Sequence, residues 1–326
     1  HNACPPSRLA QFWRHAGWLI ALLLLVGCKP AATTTDAGNS NNNIANADSA
    51  SGDAATADSD NSTPESTSNR SKRSIKLQLN WFPEAEHGSF YAAKVLGFYA
   101  AEGLDVEILA GGKSTVVPQD LTLGRVQFGI ANADDVVLAA EQDVPMVAVM
   151  ATMQQSPRCL LIRSDANITT WDQLRDLTLL LDSSQAYVPF LKDLGYLNDT
   201  VKIAPYFGSI APLASDARYG CQGYSFSEPF LAKQQGIEVN VLSVRDVGFN
   251  PYCSLLVTSQ SMITQEPQVV RAFVAASLKG LLAYSTDPGK VNETILAANA
   301  QEMTIEALQY GAQAVGELSK PENGTA

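Results

Sequence analysis

The sequence predicts an α/β protein of two lobes, with the chain crossing between them twice and a ligand cleft where they face. Three observations predict it. Short apolar strands alternate with helical stretches from Ile75 onward, the signature of β-α-β units. The alternation restarts after Pro157. Beyond Thr258 it gives way to a run that reads as helix alone. A second α/β unit followed by a return to helices makes the middle segment an inserted lobe, with crossings near 156–162 and 250–257. The first lobe then spans 71–156 and 254–326, and the second 157–253. In open α/β sheets a ligand sits outside the carboxyl ends of the strands, so the loops at those ends carry the candidate site.

The elements follow in order. Ile75, Leu77 and Leu79 alternate as a strand, and the polar-aromatic loop Trp81 to Gly88 follows. Phe90 to Ala101 reads as helix with Gly103 as its stop, and Leu104, Val106 and Ile108 form a second strand running into Gly111 and Gly112. A helix over 116–123 leads to the strand 127–130; Asn132 to Asp135 opens a helix, and 146–150 is a strand. Strands so interleaved predict a parallel sheet. In the second unit 159–162 is a strand, and Thr170 to Gln173 fits a capping box. The apolar run Leu177 to Leu181 suits a strand buried on both faces. Ser183 to Tyr187 then opens a helix reaching Leu194. A strand at 201–204, a helix opened by Tyr224 to Pro229, a strand at 238–244 and an extended stretch at 252–258 complete the alternation. Pro267 suits a first helical position, and Val270, Phe273, Val274, Leu278 and Leu281 form an apolar stripe.

The N-terminal stretch has a different character. Arg8 and Arg14 precede the apolar run Trp18 to Val26, which ends at Gly27-Cys28. Basic region, short apolar core and small residue describe a signal peptide over 1–27; the run is shorter than the ~20 residues of a spanning helix. Leu25-Val-Gly-Cys28 resembles a bacterial lipobox, so Cys28 is expected to carry lipid. Segment 31–69 holds six acidic residues, no basic one and a single large apolar side chain, Ile44. Such a composition predicts a disordered tether over 28–70, with a reach on the order of 40 Å by the ~6 Å × √n rule.

The 326 residues carry a net charge of −11, which argues against nucleic acid as a partner. Of five cysteines, Cys159, Cys221 and Cys253 remain in the folded part, with no zinc or C-x-x-C spacing. Cys159 and Cys253 each lie just inside a crossover strand, two residues after a proline. If those strands run side by side, a Cys159–Cys253 disulfide is expected.

The stretches Leu79 to Ala93 and Gly97 to Ile108, with Gly129 to Asp135, Ser227-Glu-Pro229 and Asn250-Pro-Tyr252, resemble the NMT1/THI5-like substrate-binding proteins of ABC importers over roughly 75–315. The resemblance implies a two-lobed periplasmic-binding-protein fold of type II. It also implies a small-molecule ligand delivered to a membrane permease. Family ligands include aminopyrimidine precursors of thiamine, with sulfonates such as taurine, nitrate or riboflavin among relatives. The superfamily also contains a pyrimidine synthase with a cysteine-rich motif and a lysine for pyridoxal phosphate. This chain has no cysteine cluster and no lysine between Trp81 and Gly88, so a binding protein without enzymatic activity or cofactor is expected. It would act as a monomer, lipid-anchored in the periplasm or at the cell surface. A ligand-gated sensor module is the alternative from another class.

The candidate ligand residues follow from residue type and place. Trp81 at a strand end offers a flat face for a ring, or else caps the sheet core. His87 and Tyr91 enter the same region, with structural roles equally open. Asn132, Asp134 and Asp135 sit at a strand-to-helix junction; one acid is expected as a cap and Asp134 as the ligand contact. Glu228 is a second acid from the other lobe, or serves the positive end of its helix. Ser183, Ser184 and Tyr187 open a helix that would suit an anion, as would Gly111-Gly112. Tyr224, Phe249 and Tyr252 add aromatic surface. An aromatic and acidic cleft suits a ring with amino groups, and a thiamine-precursor aminopyrimidine is the expected ligand.

Overall fold

A computed structural model describes residues 72–321, position 302 excepted. The expected leader, the Cys28 lipidation and the tether lie outside the described residues. Strand β1 (Arg73–Gln78) buries Ile75 and Leu77 fully, as period-2 alternation requires. Helix α1 (Gly88–Val95) stops before Gly97, whose φ of +78° breaks the expected single helix into α1 and α2 (Phe98–Ala101). Then come β2 (Leu104–Leu109), α3 (Val117–Thr122), β3 (Phe128–Ala131), α4 (Ala133–Glu141) and β4 (Met146–Ala151). The second unit runs β5 (Arg158–Arg163), β6 (Leu177–Leu181), α5 (Tyr187–Asp193), β7 (Val201–Pro205) and α6 (Pro212–Ser215). It continues through β8 (Tyr219–Tyr224), α7 (Glu228–Gln234) and β9 (Val239–Ser243). The chain returns as β10 (Leu255–Ser259), α8 (Gln260–Gln265), α9 (Pro267–Thr286), α10 (Gly289–Ala298) and α11 (Ile305–Leu318).

Two five-stranded sheets result, ordered β2-β1-β3-β10-β4 and β7-β6-β8-β5-β9. They are mixed, where the interleaved pattern predicts parallel sheets. β1 is parallel to β2 and β3, but β10 is antiparallel to both of its neighbours. β6 is parallel to β7 and β8, and β5 is antiparallel to both of its own. The reversed strand in each sheet is the one that enters from the other lobe. A strand arriving by a crossing comes without a β-α-β connection, so nothing forces it to run with its neighbours.

The first core centres on Phe128 and Phe273, stacked 4.0 Å apart, with Tyr99 4.7 Å beyond. Helix α9 supplies the stripe Val270, Phe273, Ser277, Gly280 and Tyr284, spaced three and four residues apart. It lies so close to α1 that a Cβ on Gly280 would stand 2.0 Å from the Ser89 carbonyl oxygen. The second lobe packs Leu160, Ile162, Leu179 and Trp171 on one face of its sheet. Cys159, Leu161, Cys221 and Leu213 pack on the other.

The crossings run side by side. The Ser156 amide donates to Asn250 Oδ1 at 2.7 Å, and Thr152 Oγ1 to the Ser254 carbonyl at 3.2 Å. Helix α11 joins the pair: the Gln154 amide donates to the Leu318 carbonyl at 2.8 Å. The expected Cys159–Cys253 disulfide is not formed; both thiols are free and buried. Alternation along β5 is the reason. Arg158 points toward the first lobe, so Cys159 points the other way and donates to the Gly223 carbonyl at 3.4 Å. Cys253 instead lies in the first lobe's core, 3.7 Å from Ser156 Oγ.

Candidate functional site

The carboxyl ends of β1, β3, β6 and β8 face one another across the seam between the lobes. The first contribution is the loop after β1. Its course depends on Gly111: the Gly111 amide donates to the Trp81 carbonyl at 3.0 Å. A Cβ there would stand 2.3 Å from the Leu79 carbonyl oxygen. This glycine therefore shapes the Trp81 loop, a packing role in place of the expected anion role. Trp81 stacks edge-on against Phe82 at 5.2 Å, and its ring tip reaches toward Gly208 of the second lobe. Beside it Lys113 Nζ donates to the Phe207 carbonyl at 2.6 Å, tying the two rims.

The loop then turns through the 3-10 segment Ala85–His87. His87 is fully buried with both ring nitrogens engaged. Nδ1 accepts from the Glu84 amide at 3.2 Å, and Nε2 faces Asn80 Oδ1 at 3.1 Å. The first contact fixes the tautomer, with the proton on Nε2. Burial holds its pKa down at about 3, so the ring is a neutral brace for the loop and not the expected ligand contact. Tyr91 is likewise buried in the first lobe's core, behind the seam.

Helix α4 opens at Asn132, whose amide donates to Asp135 Oδ2 at 3.0 Å. Asn132 Oδ1 accepts from the Ser254 amide at 3.2 Å, which commits that side chain to the crossing. Asn132 is thus the N-cap and Asp135 closes the capping box from the third helical position, and Asp134 is left to face the second lobe. There it meets Arg158: Nη2 lies 2.8 and 3.0 Å from the two Asp134 oxygens. Arg158, which the sequence reading left unassigned, is the central charge of the seam. It is 2% exposed, and its guanidinium carbon lies 5.9 Å from the ring centres of both Tyr187 and Phe249. Tyr224 lies beside it. Nε and Nη1 have no hydrogen-bond partner among the described residues. A detectable signal existed: a lone arginine immediately before the apolar run 159–162 stands at the mouth of a buried strand.

From the second lobe, Tyr187 donates its hydroxyl to Gln222 Oε1 at 3.0 Å and turns its ring to the seam. The amide and hydroxyl of Ser184 both donate to Asp182 Oδ1, at 3.0 and 2.7 Å. The donors expected for an anion are already spent on a carboxylate. Glu228 accepts the Tyr224 amide at 2.7 Å, which closes the turn into α7. Tyr252 is 44% exposed, and its carbonyl holds the Ala133 amide at 3.0 Å.

A second feature missed in sequence is the group of three carboxyls formed by Glu84 and Glu86 with Glu228. Burial, then the charges of Glu86 and Glu228, push Glu84 well above the usual carboxylate range. Burial raises Glu86 to about 7, tempered by the hydrogen bond to the Ser254 hydroxyl. Burial also raises Glu228, tempered by the Tyr224 amide. Burial of this kind favours the protonated form of each carboxyl. The pair Asp134–Arg158 and these carboxyls give the seam both donors and acceptors beside the Tyr187 and Phe249 rings. Among the described residues no group of His, Cys, Asp and Glu is arranged to hold a metal ion.

Two mixed α/β sheets joined by paired crossings, with a polar and aromatic seam between them, define a periplasmic-binding-protein fold. A solved structure of the same fold is the putative periplasmic sulfonate-binding protein SsuA from Methylobacillus flagellatus KT. It matches with a TM-score of 0.58 at 14% identity, over 77% of this chain and 82% of that one. The chain belongs to the NMT1/THI5-like family, whose sequence profile matches residues 84–291. It is 29% identical over 222 residues to the riboflavin-binding protein RibY of Chloroflexus aurantiacus, covering 66% of this chain and 63% of that protein's length. It is 25% identical over 244 residues to the formylaminopyrimidine-binding protein of Halalkalibacterium halodurans, covering 72% and 73%. A more distant relative, 22% identical over 72% of this chain and 76% of its own, is the 4-amino-5-hydroxymethyl-2-methylpyrimidine phosphate synthase of Legionella pneumophila.

Proposed function

We propose that this chain is the solute-binding component of an ABC importer and captures a planar nitrogen heterocycle between its lobes. The observation that carries this reading is the seam itself. The rings of Tyr187 and Phe249 pack edge-on to each other at 6.3 Å, on one side of the buried Arg158–Asp134 pair, with Tyr224 beside it. A flat ring packs well on aromatic surface, and its edges require both donors and acceptors. The relatives named for binding take ligands of this kind. The expected location is outside the cytoplasm, anchored through lipid at Cys28, with the loaded lobes docking on a permease as a monomer. Reversible capture requires no chemistry, and we assign none.

Among such heterocycles, a formylated aminopyrimidine is the first reading: Glu84 and Glu228 would accept from its amino group. Riboflavin is the second, favoured by the higher identity to the riboflavin-binding relative. The test is a thermal shift of the purified protein with each compound, with taurine and nitrate as comparators. At one hundred times the dissociation constant a true ligand adds about 2.7 kcal/mol. That raises the melting temperature by roughly 5–10 °C for a domain of this size. A shift with taurine or nitrate alone would overturn the heterocycle reading.

A further inference from the structure

We propose that Lys113 is the latch of the closed cleft: its ammonium group, bonded to the Phe207 main-chain carbonyl, holds the two rims together and sets the rate at which a bound ligand leaves. The proposal rests on the reading of the seam as a ligand cleft, and adds to it a residue that acts on the lobes and not on the ligand.

Topology gives this contact its leverage. Lys113 follows β2, the edge strand of the first sheet, and Phe207 follows β7, the edge strand of the second. The crossings enter the two sheets at β10 and β5, each three places from those edges. At a strand spacing of about 4.8 Å, the Lys113–Phe207 contact stands roughly 14 Å from the crossings. A lobe rotation of about 10° there would part the rims by about 2–3 Å, further than a hydrogen bond can stretch. The Asp134–Arg158 pair joins the start of α4, just after β3, to the first residue of β5. Since β3 borders β10, the same rotation moves that pair by only about 1 Å. Contacts near the crossings can survive opening, whereas the rim contact must break.

The local chemistry suits a latch that opens. The donor is a flexible ammonium group and the acceptor a carbonyl, bonded at 2.6 Å. The position is open to water, with Phe207 76% exposed, so the bond is weak enough to be broken in every cycle. Gly208 makes room for it. Its φ of +72° is left-handed, and a Cβ there would stand 3.0 Å from Lys113 Cε and 3.7 Å from Trp81 Cη2. The lysine stem and the Trp81 ring meet the same turn, so a ligand resting on Trp81 lies next to the latch.

The acceptor is main chain, so the test is made at position 113 of the full chain. Lys113→Met keeps the stem and removes the donor, and Lys113→Arg keeps a donor. Each protein is loaded with riboflavin or with a formylated aminopyrimidine, and association and release are timed separately by stopped flow. Lys113→Met is expected to release the compound roughly three- to tenfold faster. Association should change less than about twofold, because the latch forms after encounter, and Lys113→Arg should restore slow release. An unaltered release rate in Lys113→Met overturns the latch. A loss confined to association also overturns it, making Lys113 a steering charge instead. If neither compound binds, the heterocycle reading falls and the latch is judged on the ligand-free protein. Small-angle scattering should then give Lys113→Met the larger radius of gyration, and equal radii overturn the proposal.

Discussion

At the scale of single residues, Glu86 and His87 are neighbours whose protons respond oppositely to burial. Folded Glu86 titrates near 7, above its ordinary value of 4.5. Between those values the folded protein holds a proton that the unfolded chain has released, so stability falls as pH rises through that window. Folded His87 titrates near 3, below its ordinary 6.5. There the unfolded chain takes up a proton that the folded protein refuses, so stability falls as pH drops from 6.5 toward 3. From about 4.5 to 6.5 the two slopes oppose. Glu86→Gln should remove the first and expose the second, giving a stability that declines steadily on acidification below 6.5. Urea unfolding at pH 7, 6 and 5 reads this directly, and a profile identical to that of the unaltered protein would deny Glu86 its titration. Neither role was legible in sequence. The loop after Leu79 could be marked as a site from its aromatic and polar residues, but whether His87 faces ligand or core depends on where Asn80 and the Glu84 amide lie. Asp134 and Asp135 were separable in principle, since a helix start has one place for a cap, whereas Arg158 acquires meaning only once a strand from one lobe reaches an acid from the other.

At the scale of elements, β8 is the strand the sequence hides. Tyr219-Gly-Cys-Gln-Gly-Tyr224 lacks both the apolar alternation and the β-branched residues that announce a strand. It nevertheless occupies the middle of the second sheet, between β6 and β5. Its glycines explain the disguise. A Cβ on Gly220 would lie 2.5 Å from Ile162 Cδ1 and 2.7 Å from Leu179 Cδ2, so neighbouring strands fill the space its own side chains would take. The strands with large apolar residues, such as β1 and β6, were legible because their burial is written in their own side chains. The same principle operates between helices. With the Ser89 carbonyl and the Ala93 amide within 2.8 Å of a Cβ at position 280, Gly280→Ala must push α9 away from α1. The expected cost is about 1–3 kcal/mol, a melting temperature lower by roughly 2–12 °C, with no change in ligand affinity because both helices lie behind the seam. A variant that melts with the unaltered protein would show that the two helices have slack.

At the scale of the whole molecule, two lobes and two crossings were readable from the restart after Pro157 and the helical return. The direction of the crossing strands was not, because strand polarity is set by the route of the chain and not by composition. That route has a consequence for the order of assembly. All five strands of the second sheet lie within 158–243 and pair among themselves. The first sheet instead lacks its fourth strand until β10 arrives, when Leu255 meets Ala131 on one side and Ala151 on the other. The half of the protein that is synthesised first is therefore the half that must wait. Loops must close before distant pairings reward them, so the inserted lobe should reach its native hydrogen bonds ahead of the lobe that encloses it. Pulsed hydrogen exchange during refolding would show amides of β6 and β8 protected before those of β3 and β10, and simultaneous protection would mean that the two lobes fold as one unit. A chain emerging from a ribosome or a membrane channel would thus carry an open, unfinished sheet until its last quarter appears, the interval in which a chaperone has most to hold.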